Sequence, residues 1–225
     1  MNISVIVPCL NEAANLAKCL TCVRNALPGC ELIVVDGNST DGSELIAEQF
    51  ADKIIRTAPG RGAQCRLGAS SAGSELLIFL HADCVLAPGA LEAVHAAFAN
   101  PTITVGTFRV EFDALGRRYR FLEYCSRFDT LLTTFGDQGF LVRKQRYLQL
   151  GGIPALPLFE DVAFFRRARR HGKIIKLSSN ILTSARRFER LGFWRTHVIN
   201  TWMIACFLLG VNVDRLQRVY CDCWR

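Results

Sequence analysis

The chain lacks a basic segment followed by an apolar one near its first residues, and Ile3 begins a predicted strand almost at once. We therefore expect no secretory signal peptide. Long apolar runs are also missing, since the last predicted helix, residues 193–209, coincides with an unbroken apolar run of only residues 202–211. A membrane span needs ~20 such residues. We expect a cytoplasmic protein, either soluble or on the inner face of the membrane, whose last helix packs in the core, forms a homodimer or lies at an interface.

Two common nucleotide-binding motifs are absent. A Rossmann dehydrogenase needs Gly-x-Gly-x-x-Gly directly after its first strand, but here Pro8-Cys9-Leu10-Asn11-Glu12 follows the predicted strand. No Gly-x4-Gly-Lys-Ser/Thr occurs either, which excludes a P-loop ATPase. A nucleotide site, if the chain has one, is therefore of another kind.

Zinc-like cysteine spacing is missing, although the chain has ten cysteines. Cys19-x-x-Cys22 lies within a predicted helix, and Cys221-x-Cys223 is isolated near the end of the sequence. No second Cys or His pair stands at a suitable distance from the first. The cysteines are expected to be buried or free thiols rather than disulfides or metal ligands.

The net charge of +7 is unevenly distributed. Residues 1–108 contain six basic and ten acidic residues, whereas residues 109–225 contain 21 and ten. A basic half favours anionic partners such as phosphates or acidic lipids. No pattern typical of nucleic-acid binding accompanies the charge, so nucleic acid is not an expected partner. Four arginines, at positions 166, 167, 169 and 170, form either a solvated helix face or a contact for an anionic acceptor or membrane.

Strands and helices alternate four times in the first half with short connections, which is typical of an α/β fold with a parallel sheet. Predicted strands cover residues 3–7, 31–35, 53–56, the run that ends at Asp83, 104–112, 140–142 and 173–177. Predicted helices cover residues 13–26, a segment to about residue 50, one through residue 73, then 89–98, 117–133, 144–150, 160–170 and 193–209.

Asp83 follows the apolar run Leu76-Leu77-Ile78-Phe79-Leu80, which reads as a buried strand. Ligands of open α/β sheets bind at the carboxyl edge of the strands. A carboxylate at that edge can hold a divalent cation, and the cation can hold a diphosphate. Asp83 can equally cap a helix or a turn, as aspartate often does.

Five segments together resemble the family 2 glycosyltransferases, which have the GT-A fold. They are Pro8 to Glu12, the run Val35-Asp36-Gly37-Asn38-Ser39-Thr40-Asp41-Gly42, Pro59-Gly60-Arg61-Gly62, His81-Ala82-Asp83, and Phe159-Glu160-Asp161. The resemblance covers about residues 3–180. It implies a GT-A domain over residues 1–180, with a nucleotide-binding half (1–108) and an acceptor half (109–180). Residues 181–225 would be a helical extension packed on the same domain.

The resemblance implies inverting transfer of a sugar, of hexosyltransferase type, from a nucleoside diphosphate sugar to an acceptor hydroxyl. UDP is the commonest donor nucleotide of the family. Asp36 would accept hydrogen bonds from the base and Glu12 from the ribose or a nearby backbone donor, whereas Arg61 would reach a phosphate. Asp36 can instead be a turn residue, Glu12 a first-turn acid, and the Arg61 loop a surface turn. The segment Asp137-Gln138 matches one that in the family lies near donor sugar and acceptor. The implied donor-site residues are Pro8, Leu10, Asn11, Glu12, Asp36, Ser39, Gly60, Arg61, Gly62, His81, Ala82, Asp83 and Gln138.

The metal motif departs from the family pattern, because His81 replaces the first Asp of Asp-x-Asp. Asp83 matches the position that touches the cation, Mn²⁺ or Mg²⁺. Since Mg²⁺ is commonly held by one or two carboxylates plus substrate phosphates, one protein ligand is enough. His81 is either a second ligand, which favours Mn²⁺, or a partner of the sugar or diphosphate, or a structural residue.

By resemblance, Asp161 is the base that accepts the acceptor's proton, and Glu160 orients the acceptor or the base. Two adjacent carboxylates raise the pKa of one of them, which suits a base. Acids in the first turn of a helix also complement the macrodipole without any catalytic role.

Two rival functions remain open. A sugar-phosphate nucleotidylyltransferase has a similar core, but it normally carries a glycine-rich loop with Arg and Lys where Pro8 to Glu12 stand. A degenerate relative that binds nucleotide or acceptor without turnover is kept open by His81. The acceptor is anionic or lipid-linked if the basic half contacts it.

Overall fold

The computed structural model describes residues 1–223, except for the side chains of Arg187 and of residues 221–223. The prediction made for Cys221 and Cys223 therefore falls on side chains outside the described part of the chain. One eight-stranded sheet forms the centre, in the order β3-β2-β1-β4-β7-β6-β8-β5. The strands are β1 (Ile3–Cys9), β2 (Glu31–Asp36), β3 (Lys53–Arg56), β4 (Leu76–Phe79), β5 (Val85–Leu86), β6 (Ile103–Phe112), β7 (Phe140–Arg143) and β8 (Lys173–Thr183).

The sheet is flanked by helices, as the alternating pattern predicts. The first four follow β1, β2, β3 and β5, whereas the others belong to the second half of the chain. The helices are α1 (Ala13–Ala26), α2 (Ser43–Ala47), α3 (Arg61–Ser71), α4 (Ala90–Phe98), α5 (Arg117–Cys125), α6 (Lys144–Gln149), α7 (Glu160–Arg170), α8 (Arg186–Leu191), α9 (Phe193–Leu208) and α10 (Val213–Cys223).

The first half of the sheet is parallel. β1 pairs with β2 and β4, and β2 pairs with β3, all in the parallel sense. β1, β2 and β4 are buried on both faces, as their β-branched and leucine-rich sequences predict, whereas β3 at the edge is partly exposed. The carboxyl ends of β1, β2 and β4 therefore lie along one edge, where their loops meet.

The second half interrupts the parallel order. β7 lies between β4 and β6 and runs antiparallel to both, β6 runs parallel to β8, and the two-residue β5 pairs antiparallel with β8. β6 runs from residue 103 to residue 112. It therefore spans residues 108 and 109, where the two predicted halves of the domain meet. The α/β class expected from the sequence is confirmed.

Several predicted boundaries differ from the structure. α5 ends at Cys125 rather than at residue 133, because the Ser126 hydroxyl accepts the Val110 N–H and Thr130 to Thr133 form a turn of their own. β8 continues to Thr183 rather than residue 177, since residues 180–183 pair with β6 and residues 181–182 with β5. β5, α8 and α10 have no counterpart in the sequence prediction.

Apolar residues pack on both faces of the sheet. α1 and α4 cover one face of the sheet with side chains such as Leu16, Leu20 and Val94. α3 and α7 cover the other face, where Phe164 and Phe165 of α7 are buried. A third cluster, around Tyr119, joins α5 to the start of α9. Within the described residues, no helix has both the length and the apolar character that crossing a membrane requires.

Candidate functional site

A polar cleft of about 530 Å³ lies beside the carboxyl ends of β1 and β4. Three residues that the sequence analysis selects, Glu12, His81 and Asp83, line it together with Asp137. The opposite wall comes from the extension, through Arg186 of α8 and Asn200 of α9, among others. The C-terminal helices therefore complete the cleft rather than lying apart from it.

The loops after β1 and β2 are joined by hydrogen bonds. The Asp36 carboxylate accepts the Ser39 N–H at 2.9 Å and the Ser39 hydroxyl at 2.5 Å, and Ser39 Oγ accepts the Asn11 N–H at 2.9 Å. The Asn11 side chain in turn accepts the Thr40 N–H at 2.9 Å. Asp36 is buried and holds this turn, so its carboxylate oxygens already have partners. Pro8 lies inside β1, which continues to Cys9, and the exposed Leu10 is on the loop that follows.

Gln64 on α3 ties the same two strand ends together. Its buried Nε2 donates to the carbonyl oxygens of Cys9 and Val35 at 2.8 Å each. The sequence analysis did not select this residue. A glutamine in a small-residue helix gives no local signal, because its partners are 29 and 55 residues away along the chain.

Asp83 lies four residues beyond the end of β4, in a turn rather than on the strand itself. The Cys84 N–H donates to the His81 carbonyl at 3.2 Å, so Ala82 and Asp83 occupy the two central positions of this turn. The Cys84 thiol donates to the Asp137 carbonyl at 3.5 Å. The turn thus holds Asp83 next to the segment that carries Asp137.

The predicted catalytic pair opens α7 and is buried. Arg61 Nη1 lies 3.1 Å from Glu160 Oε1 and 3.9 Å from Asp161 Oδ2. The sequence analysis expected Arg61 to reach a phosphate, but in the structure its guanidinium pairs with these acids. Burial raises the pKa of Glu160, and Asp161 adds to this, while Arg61 opposes it. Burial alone would lower the pKa of Arg61, but the two carboxylates outweigh it and raise that pKa.

Two glycines allow this cluster to form. The Gly136 N–H donates to Asp161 Oδ2 at 2.6 Å, and a Cβ at Gly136 would collide with the Arg61 guanidinium. A Cβ at Gly62 would collide with the Pro154 carbonyl oxygen, so Gly62 serves close packing of α3 against this segment. Gly60, with φ of +153°, precedes α3 and its carbonyl accepts the Gln64 N–H.

Asp137 is the carboxylate that connects this cluster to the cleft. Its side chain is open to the cleft, yet the surrounding protein raises its pKa to about 6, with further contributions from the negative charges of Asp161 and Asp83. The charge of Arg61 opposes the shift. Asp137 therefore changes charge near pH 6. The resemblance placed the segment Asp137-Gln138 near the donor sugar and the acceptor, and the structure brings Asp137 to the cleft.

Lys176 on β8 contacts the same loop through Gln138. Its Nζ donates to Gln138 Oε1 at 2.5 Å, and Gln138 Nε2 donates to the Thr133 carbonyl at 2.5 Å. Burial lowers the pKa of Lys176 to about 8, although Asp129 and Asp137 oppose this. Gln138, a predicted donor-site residue, is buried, and its side-chain amide binds Lys176 and the Thr133 carbonyl.

The chemistry of these residues fits a divalent cation. Asp83 and Asp137 line the same cleft as Glu12 and His81, and the negative charge of Asp83 contributes to the raised pKa of Asp137. Among the side chains that the structure describes, no group of three or more His, Cys, Asp or Glu forms a preformed metal cage. This is the donor set of an ion held by one or two carboxylates and completed by substrate phosphates.

Two relatives illustrate the similarity to known proteins. The 4,4'-diaponeurosporenoate glycosyltransferase of Staphylococcus haemolyticus is 30% identical over 152 residues, which cover 62% of this chain and 39% of the relative. The dolichol-phosphate mannosyltransferase of Pyrococcus furiosus is 28% identical over 116 residues, covering 48% of this chain and 33% of the relative. The matched part thus spans about two fifths or less of each relative's length.

Solved structures share the fold. The mannosyltransferase PcManGT from Pyrobaculum calidifontis, in complex with GDP-Man and Mn²⁺, superposes with a TM-score of 0.71 at 18% identity, over 96% of this chain and 66% of that one. TarS residues 1–349 from S. aureus, in complex with UDP-GlcNAc, gives 0.66 at 19% identity, over 82% of this chain and 58% of that one. A family model for glycosyl transferase family 2 matches residues 4–168. Since that match covers well over half of the sequence, the chain belongs to glycosyl transferase family 2.

Proposed function

We propose that this protein transfers a sugar, of the hexose type, from a nucleoside diphosphate sugar to an acceptor hydroxyl, with inversion at the anomeric carbon. One observation carries the proposal: Glu12, His81, Asp83 and Asp137 line one polar cleft at the carboxyl edge of the sheet. The family membership supports it, as do the fold neighbours that bind UDP-GlcNAc or GDP-Man with Mn²⁺.

The donor nucleoside would lie over the joined loops of β1 and β2. The turn that Asp36 and Ser39 stabilise presents the exposed Asn11 and the half-buried Glu12 beside the cleft. Carboxylate and amide oxygens there can accept hydrogen bonds from a base or a ribose. UDP is the first donor nucleotide to test, and GDP the second.

Asp83 would hold a divalent cation, with His81 or Asp137 as a second protein ligand. When bound, the cation neutralises negative charge on the departing nucleoside diphosphate. The acidic side chains of the cleft and of the carboxylate cluster slightly outnumber the basic ones. Glu12, Asp83, Asp137, Glu160 and Asp161 stand against Arg61, Lys176, Arg186 and Arg190. That surplus favours a cation beside the diphosphate.

The reaction is a direct displacement. The acceptor oxygen bonds to the anomeric carbon, the bond from that carbon to the phosphate oxygen breaks, and its electron pair leaves with the nucleoside diphosphate. The acceptor's proton passes to a carboxylate, which we assign to Asp161 from the family pattern. In the structure Asp161 Oδ2 accepts the Gly136 N–H at 2.6 Å and Oδ1 accepts the Val162 N–H at 2.7 Å, so both oxygens are held in place by backbone donors. Asp137 is the competing base, because it lines the cleft.

The test is a thermal-shift titration with UDP, GDP, dTDP and CDP, each with and without Mn²⁺ or Mg²⁺. A ligand present at 100 times its Kd stabilises by about 2.7 kcal/mol, which a melting curve resolves. We expect one diphosphate to stabilise the protein only with metal, and Asp83→Ala to abolish the effect. Asp214→Ala, an exposed acid on α10, is the matched control.

The outcomes separate the rival functions. Binding of a diphosphate without metal dependence and without sugar transfer favours the degenerate binding protein. Formation of a nucleoside diphosphate sugar from a sugar phosphate and a nucleoside triphosphate favours the nucleotidylyltransferase. No response to any nucleotide would contradict the donor site as a whole. Contact with a membrane and a homodimer through the C-terminal helix stay predictions of the sequence.

A further inference from the structure

A second cavity, of about 150 Å³, adjoins the polar cleft. Phe112, Asp137, Phe188 and Asn200 line both spaces, so these residues form the boundary between them. The second cavity lies between β6, α5, the loop before Asp137, and α9. Apart from Gln138 and the residues shared with the cleft, the residues that line this cavity belong neither to the proposed donor site nor to the carboxylate cluster.

The walls of this cavity are mainly apolar. Val110, Leu122, Cys125, Leu132, Phe135 and Ile204 contribute to the lining. Three of its polar side chains already have partners: Ser126 Oγ donates to the Glu123 carbonyl, Thr133 Oγ1 donates to the Phe128 carbonyl and Gln138 binds Lys176. Asp137 and Asn200 lie at the boundary with the polar cleft. Burial lowers the pKa of His197, so this side chain is neutral near pH 7. A lining of this kind accommodates an apolar group and not an ion.

Exposed apolar side chains surround the cavity on the two helices that line it. On α9, Trp194, Val198 and Trp202 are 73%, 66% and 52% exposed, at a spacing that places them on one stripe. On α5, Phe121 and Tyr124 are 64% and 57% exposed. The starts of the helices are adjacent. Such a concentration of exposed aromatic and aliphatic groups marks a binding surface.

We propose that the cavity is the subsite for an apolar chain of the acceptor, which makes the acceptor an amphiphilic, lipid-like alcohol. The inference rests on the proposed glycosyl transfer. The hydroxyl end of the acceptor lies in the polar cleft beside Asp137, and the chain enters the cavity past Phe112 and Phe188. A dry cavity of this size holds a group as large as benzene, so about six carbons are enclosed and a longer chain extends over the exposed stripe.

Binding of straight-chain primary alkanols, from ethanol to octanol, tests the cavity without any donor. Ligand-observed NMR titration of the full chain gives the Kd of each alcohol. We expect the Kd to fall about fourfold for each added methylene, as burial of a CH₂ predicts, and to level off near six carbons. A Kd that does not depend on chain length would overturn the proposal.

Matched variants locate the binding. Cys125→Phe fills the cavity from α5, whereas Cys206→Phe makes the same change at a half-buried cysteine of α9 outside the lining. We expect hexanol affinity to fall at least about tenfold in the first variant, because the cavity volume is lost, and to be unchanged in the second. Thr201→Phe, at an exposed lining position, repeats the test if Cys125→Phe does not fold. Equal affinity in all variants would contradict the assignment.

A transfer assay separates this inference from the proposed function. With the donor identified by thermal shift, transfer to alkanols is compared with hydrolysis of the donor by water. We expect Cys125→Phe to lose transfer to hexanol while donor binding and hydrolysis persist. Unchanged transfer would refute the subsite and leave the glycosyltransferase intact, whereas failure of donor binding in the wild type would refute the proposed function itself.

Discussion

The Gly136 N–H donates a hydrogen bond to Asp161 Oδ2 at 2.6 Å. This contact joins the loop that carries Asp137 to the first turn of α7. Arg61 Nη1 lies 3.9 Å from the same oxygen. The position of Asp161 is therefore determined by two groups that are distant from it in the sequence, and both contacts depend on a residue without a side chain at position 136.

Gly136→Ala tests this arrangement. The added methyl would overlap the Arg61 guanidinium and come within 2.9 Å of Asp161 Oδ2, so the ion pair has to shift. We expect kcat/KM to fall about 10²-fold, as displacement of a catalytic group by about 1 Å predicts, with the diphosphate affinity retained. Gly73→Ala is the control, since its methyl would meet Glu31 at an ordinary 3.6 Å. Unchanged kinetics would show that Asp161 needs no such positioning.

Asp161→Asn removes the proposed proton acceptor with little change in shape. We expect kcat to fall by about 10²–10⁴, which is the usual contribution of a general base, while the metal-dependent thermal shift with diphosphate persists. Asp52→Asn, in a surface ion pair with Arg24, is the matched control. If kcat is unaffected and Asp137→Asn abolishes it instead, the base is Asp137.

The pH profile reports on Asp137. Its raised pKa of about 6 means that the carboxylate is ionised above that pH and takes up a proton below it. Whether Asp137 acts as base or helps to hold a cation, its charged form is the active one, so we expect activity to be lost as the pH falls through about 6. In Asp137→Asn the residual activity should not show this dependence. If the activity of Asp137→Asn still falls as the pH is lowered through about 6, the titrating group is another residue.

Lys176 predicts a change of stability at alkaline pH. Its pKa is lowered to about 8 from a usual 10.5, so between these values the unfolded chain binds more protons than the folded one. The free energy of unfolding should therefore rise with pH in this window, relative to Lys176→Met, by at most about 3 kcal/mol. Urea denaturation at pH 7.5 and 10 measures it. Lys53→Met, at an exposed lysine, should show no such difference from the wild type.

Local patterns predicted the fold class and most elements of the first half. Apolar strands such as β2, and helices that end at Pro-Gly or begin after a glycine, carry their signals within a few residues. The predictions failed where partners are distant. β8 extends beyond residue 177 because residues 180–183 pair with β6, and α5 stops at Cys125 because Ser126 bonds to β6.

The site shows the same division. Glu12, His81 and Asp83 line one cleft, as their places after β1 and β4 predicted. Arg61 could not be assigned from its loop, since its partners Glu160 and Asp161 are about a hundred residues away along the chain. Lys176 looked like an ordinary polar position of a strand, and only the folded chain brings it to Gln138.

The place of β7 has a consequence for how the chain is made. β4 pairs with β1 on one side, and its partner on the other side is β7, residues 140–143. The partner of β5, at the far edge of the sheet, is formed by residues 181–182 of β8. When β1 to β4 of a nascent chain have left the ribosome, one edge of the fully apolar strand β4 is therefore unpaired. It stays exposed until β7 in the second half has also left the ribosome. Such an edge readily pairs with other chains, so we expect the two halves to form cooperatively, and a fragment that ends at residue 108 to aggregate.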